Sequence, residues 1–163
     1  RNMSTYTISI ATAADLPRVR DLALAIWPTT YNPILGEDRV GPMLDEIYAR
    51  ETLEADIAER GHIYWIGHND AGDLGFASAY REDGRVWIKK LYVLDSARGL
   101  GLGKGLIATA RAALGPSLPV ALYVNNCNEK AIAFYLSQGF EIEKEEPVRM
   151  GPFDFIDYVM LKR

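Results

Sequence analysis

The sequence predicts an α+β domain: a mixed, mostly antiparallel central sheet of about seven strands flanked by helices. Three observations lead there. Strand-like and helix-like segments follow in the order strand, helices, three strands, helix, strand, helix, two strands, which suits a sheet sandwiched by helices. Strong turn signals join the middle three strands as hairpins. A composition of 48% hydrophobic and 25% charged residues is that of an ordinary globular chain.

Tyr6 to Ala11 reads as the first strand. Thr12 is placed as N-cap of an amphipathic helix from about Ala13 to Ile26, carrying Leu16, Val19, Leu22, Leu24 and Ile26, and Pro28 is expected to stop it. Two helices follow at Gly36 to Tyr48 and Glu51 to Glu59, the first with Val40, Met43, Leu44 and Ile47 at helical spacing. His62 to His68, Leu74 to Glu82 and Arg85 to Leu94 read as strands, joined by Asn69-Asp70-Ala71-Gly72-Asp73 and by Asp83-Gly84. A glycine-rich turn then opens a helix with Leu102, Leu106, Ala110 and Leu114 at intervals of four, ended by Gly115-Pro116. Val120 to Val124 is a strand, Asn128 caps a helix that stops at Gly139, and the last strands lie near Phe140 to Pro147 and Phe153 to Lys162.

At 163 residues one domain is expected, large enough to bury a full core. It is taken over 3–163, because Arg1 and Asn2 precede Met3 and read as a remnant from before the natural start. The longest apolar run, Leu22 to Trp27, is too short to span a membrane, and the N-terminus lacks a secretory apolar region, so a cytoplasmic location is expected. Net charge of -4 and a pI near 5.2 argue against a nucleic-acid partner. A single cysteine excludes an internal disulfide. His62 and His68, on one strand and roughly 20 Å apart at 3.3 Å per residue, do not form a metal site, and no metal is expected. Cys127 has no histidine nearby in sequence to activate it and reads as a small turn residue.

The chemistry concentrates in the middle of the chain. Leu91 to Gly105 runs from an apolar strand through glycines into a helix, so backbone N–H groups and a helix N-terminus can converge on anionic oxygens. Arg98 and Lys104 add full positive charges, and no Asp or Glu occurs from Ser96 to Asn128. That window suits a pyrophosphate. The spacing fits neither G-x-G-x-x-G nor the P-loop pattern, since Gly103-Lys104 is followed by Gly105. A second segment follows: Asn128 and Tyr135, seven residues apart, fall on one helical stripe about 10 Å apart along the axis.

Arg98-Gly99-Leu100-Gly101-Leu102-Gly103 fits R-x-x-G-x-G and resembles the acyl-CoA-binding motif of the GNAT superfamily of N-acetyltransferases. Asn128 to Phe140 resembles that superfamily's second motif, N-x-x-A-x-x-x-Y-x-x-x-G-F. The resemblance implies the GNAT acyl-CoA N-acyltransferase fold, acetyl-CoA as co-substrate and acetyl transfer to an amine. It implies that Arg98, Gly99, Leu100, Gly101, Leu102, Gly103 and Lys104 hold the pyrophosphate and that Asn128 contacts the pantetheine arm. It also implies that two strands splay at a bulge, leaving backbone groups of Leu91 and Val93 to pair with that arm, and that Tyr135 meets the sulfur as general acid. A homodimer is common in the family, but no interface is located.

Many relatives carry a glutamate on the strand before the glycine turn; here that stretch is Val86-Trp87-Ile88-Lys89-Lys90, and no base is assigned. The acceptor that the resemblance implies is a primary amine of a small molecule or peptide. Between Gly36 and Arg60 eight acids (Glu37, Asp38, Asp45, Glu46, Glu51, Glu54, Asp56, Glu59) face three arginines, which favours a cationic acceptor if they surround it and is equally the pattern of a solvated face. Trp27 to Tyr31 reads either as an aromatic wall for a polyamine or as a core anchor, and its position loosely resembles bacterial PaiA-type polyamine acetyltransferases. The alternative activity is a GNAT-like sensor that binds CoA without catalysis, which would not need Tyr135.

Overall fold

The computed structural model describes residues 5–150 and 152–163; the expected remnant at Arg1 and Asn2 lies outside the described residues. Strand β1 (Thr7–Ile10) is followed by helices α1 (Leu16–Leu35), α2 (Glu37–Ile47) and α3 (Arg50–Ala58). Strands β2 (Ile63–Asn69), β3 (Gly72–Glu82) and β4 (Arg85–Val93) form the expected hairpins, the second through Asp83 at φ +52°. Helix α4 (Leu102–Leu114), strand β5 (Val120–Asn125), helix α5 (Glu129–Ser137) and strands β6 (Glu141–Met150) and β7 (Phe153–Lys162) complete the chain.

The strands make one seven-stranded sheet in the order β1-β2-β3-β4-β5-β7-β6. Every neighbouring pair is antiparallel except β4 and β5. Period-two alternation sends Trp65 to one face of the sheet and its neighbours Tyr64 and Ile66 to the other. The first face is covered by α4 and α5 through Leu102, Leu106, Ala110 and Tyr135, with Phe140 just after α5, and the second by α1 to α3 through Val19, Trp27, Met43 and Leu53. Burying these two apolar layers against a single sheet drives the fold.

Helix α1 does not stop at Pro28. It runs 20 residues with Pro28 and Pro33 inside it. The carbonyls that these prolines cannot bond belong to Leu24 and Thr29, both exposed residues. The buried stripe meanwhile continues through Ile26, Trp27 and Tyr31. Packing of two large aromatic rings outweighs a proline penalty of roughly 3 kcal/mol. A second difference concerns the histidines. His62 precedes β2, and a register shift between Gly67 and His68 breaks the alternation that would set both on one face.

The junction of β4 and β5 positions the site. Their parallel pairing covers only Val86 to Ile88 against Val120 to Leu122. A register shift against β3 at Ser78/Ala79 leaves Lys89 without a partner there. Beyond this bulge β4 stays paired with β3 while β5 stays paired with β7 out to Asn125 and Asp157, so the sheet opens as a wedge.

Candidate active site

The open edge of β4 carries Leu91 and Val93, whose backbone has β3 on one side and no strand on the β5 side. After Val93 the chain makes a short 3-10 turn at Asp95–Ala97 and reaches Gly99 and Gly101 at φ +87° and +78°. Left-handed backbone at these positions is why glycine is needed here, and Gly101 is the N-cap of α4. The first amides of α4 have no intrahelical carbonyl to bond, and the helix dipole adds positive potential. Arg98 and Lys104 are both exposed. Arg98 Nε lies 2.8 Å from Asp95 Oδ1 in a solvent-facing pair, which holds it only weakly.

A cleft of about 700 Å³ lies between this turn, the β4 edge, α5 and the C-terminal half of α1. Leu91, Val93, Arg98, Gly99, Gly101, Leu102, Gly103, Lys104, Asn128 and Tyr135 all line it. Leu100 does not; its side chain packs on the core beneath α4. Cys127 is exposed and lines the same cleft. The continuation of α1 past Pro28 brings Thr29, Thr30 and Pro33 to its rim.

At the bottom of the wedge stand Asn128 and Tyr135. Asn128 is buried and its Oδ1 accepts the Ala131 N–H at 3.3 Å, so it caps α5 while lining the cleft. Tyr135 is 8% exposed, packed edge-on against Phe134 and Phe140 at ring distances of 5.4 and 5.5 Å. Burial, and secondarily the nearby Tyr31, push its phenol above the ordinary value of 10, so it keeps its proton at neutral pH.

A second cavity of about 630 Å³ opens on the opposite side of the wedge. Leu91, Tyr92, Asn128, Ala131 and Tyr135 line both, so the two cavities adjoin at the wedge with Tyr135 on their common wall. The second cavity is walled by Tyr80, Trp87, Lys89, Tyr123 and Asp157 among others. Asp157 is 4% exposed, and its Oδ1 has no hydrogen-bond partner. Burial raises its carboxyl from 3.8 to about 6, with Lys89 pulling the other way. Trp87 Nε1 is likewise buried without a partner.

Asp157 does not stand out in the sequence, where the resemblance points to β4 for a carboxylate. The signal lay in β7: Asp157 shares the buried period-two set with Val159 and Leu161, an acid where the pattern calls for an apolar residue. Conversely, none of the eight acids between Gly36 and Arg60 lines either cavity. Asp56 is buried instead, where its Oδ2 accepts from Tyr64 Oη at 2.6 Å and Lys90 Nζ at 3.2 Å. Burial lowers Lys90 to about 8 against the pull of Asp56. Trp27 and Tyr31 are buried in an aromatic cluster with Tyr48 and Tyr92, and Tyr31 Oη lies 2.9 Å from Tyr92 Oη. Their edges line the second cavity.

Among the described residues no group of three His, Cys, Asp or Glu side chains gathers as for a metal ion, and no helix is long and apolar enough to cross a membrane. A family model described as an acetyltransferase (GNAT) domain matches residues 60–142. An uncharacterized N-acetyltransferase of Mycobacterium tuberculosis is 26% identical over 151 residues, covering 91% of this chain and 97% of its own length. The crystal structure of PaiA N-acetyltransferase from Thermoplasma acidophilum in complex with coenzyme A superposes with a TM-score of 0.81 at 22% identity, covering 98% of this chain and 99% of that one. A GCN5-related N-acetyltransferase from Rhodopseudomonas palustris gives 0.80 at 18% identity, over 99% and 98%. At these identities the two structures speak to the fold.

Proposed function

Because the chain belongs to the GNAT acetyltransferase family and is an N-acetyltransferase, we propose that it transfers acetyl from acetyl-CoA to a primary amine of a small molecule or peptide by direct attack, with Tyr135 as general acid. The observation that carries this reading is the pair of cavities that adjoin at the wedge, a cofactor-sized cleft and a second cavity, with Tyr135 lining both.

Acetyl-CoA, when bound, supplies an activated thioester carbonyl. The chain's own groups fit it. The amides from Gly99 to Lys104, with Arg98 and Lys104, suit the diphosphate; Arg98 reaches it by giving up only an exposed ion pair. The unpartnered edge of β4 at Leu91 and Val93 suits the amide groups of the pantetheine arm, which then adds to the sheet as a strand does. Asn128 closes the far side of the wedge. Tyr135, held protonated by burial, gives its proton at the sulfur as the thiolate departs.

The acceptor enters from the second cavity, whose aromatic walls suit an amine-bearing chain. Residues 3–163 then act as one domain, in the cytoplasm, on acetyl-CoA and this amine. Thiol release measured against a panel of primary amines tests the reading. Release that depends on both acetyl-CoA and an amine supports it, and calorimetric CoA binding with no turnover on any amine would favour a sensor instead.

A further inference from the structure

The acceptor amine reaches the protein as an ammonium ion, and a proton must leave it before the nitrogen can attack. Strand β4 offers no carboxylate for this near the wedge. We propose that the Asp157 carboxylate, across the wedge on β7, binds the acceptor's ammonium group and takes its proton. This rests on the transferase reading above.

The geometry singles out Asp157 by comparison with the other buried acid. Asp56 meets Tyr64, Lys90 and Arg60. Asp157 is as buried, but its Oδ1 has no partner, and among the described residues no lysine or arginine forms an ion pair with it. A buried carboxylate without counter-charge is costly and rare in folded proteins. Here it lines a cavity that also reaches Tyr135, where a cationic ligand would supply the missing partner. The groups that face it are Asn125 and Tyr123 on β5, Glu146 opposite it on β6, Lys89 at the β4 bulge and Tyr31 on α1. Lys89 is exposed and lines the same cavity, so it favours the ionised carboxylate without neutralising it by contact. With its carboxyl near 6, Asp157 is ionised at neutral pH and still basic enough to hold a proton in passing.

The protons balance. One proton passes from the ammonium to Asp157 and then to water. The nitrogen forms its bond to the acetyl carbon as the carbon–sulfur bond breaks. Tyr135 protonates the sulfur and recovers its proton from the nitrogen as the amide forms. Ammonium and thioester become amide, thiol and one released proton.

The test compares wild type with Asp157→Asn and Asp157→Glu, using the best amine of the panel. For Asp157→Asn, kcat/KM for the amine should fall about 10²- to 10³-fold at pH 7, with acetyl-CoA affinity by calorimetry unchanged. Its loss should shrink about tenfold per pH unit toward the amine's own value near 10.4, because the free base then needs no acceptor. Wild type should bend to a plateau above an inflection near pH 6, and Asp157→Glu should keep such a bend, whereas Asp157→Asn should rise steadily toward the amine's own value with none.

A readout without substrates accompanies this. The folded-state value near 6 lies above the ordinary 3.8, so between those pH values the native state holds a proton that the unfolded chain has lost. Stability of the wild type, measured against Asp157→Asn, should therefore fall as pH rises from about 4 to 6. A fully active Asp157→Asn with the wild-type pH profile would overturn the role while leaving the transferase reading intact. A wild type that turns over no amine would overturn both.

Discussion

Removing one oxygen from Tyr135 separates chemistry from binding. Tyr135→Phe keeps the ring, and with it the edge-on contacts to Phe134 and Phe140 at 5.4 and 5.5 Å. Among the described residues no hydrogen bond to the phenol is found that a phenylalanine would forfeit, so folding stability should change by less than about 1 kcal/mol. On the proposed reading the cofactor's diphosphate binds at the glycine turn, at the other end of the cleft, so acetyl-CoA affinity should stay within about threefold. A positioned general acid contributes roughly 10²- to 10⁴-fold, or about 2.7–5.4 kcal/mol of barrier at 1.36 kcal/mol per decade. The assay is steady-state thiol release at saturating acetyl-CoA and amine, with calorimetry for CoA on the same preparation. A kcat within twofold of wild type would refute the acid role, and a parallel loss of CoA binding would recast Tyr135 as a packing residue.

Other perturbations reach other parts of the account. Gly101→Val places a β-branched residue at φ +78°, which should cost about 1–2 kcal/mol in stability and weaken acetyl-CoA at least tenfold by calorimetry. Arg98→Ala removes only an exposed ion pair from the free protein, so the melting temperature should hold while CoA binding weakens and its salt dependence flattens. Acetyl-CoA at 100 times its Kd should stabilise the fold by about 2.7 kcal/mol, roughly 5–11 °C in a chain of this size. Asp56→Ala strands the buried Lys90 ammonium without its carboxylate and should cost about 3–5 kcal/mol in urea denaturation, with acetyl-CoA binding by the folded fraction retained.

The parts of the structure legible in the sequence are those fixed by short-range chemistry. Glycines at Gly99 and Gly101 announced left-handed turns, and Asn128 announced a cap, because local backbone geometry demands those residues. The hairpin at Asp83-Gly84 was readable for the same reason. Pro28 misled because its penalty is local whereas its compensation, the packing of Trp27 and Tyr31 against Tyr48 and Tyr92, comes from distant segments. The acidic helices left two readings open for the same reason: charge in sequence says nothing of which face turns to a cavity, and Asp56 finds its partner Lys90 34 positions away. Asp157 lay beyond reach because its isolation is a property of three adjacent strands, although its place among buried β7 residues left a readable trace.

A crystal structure of the protein soaked with coenzyme A tests the central claim most directly. The diphosphate should lie within hydrogen-bonding distance of the amides from Gly99 to Lys104, with the pantetheine arm along Leu91 and Val93 and the sulfur beside the Tyr135 hydroxyl. A diphosphate bound away from the glycine turn, or an arm that does not enter the wedge between β4 and β5, would contradict it.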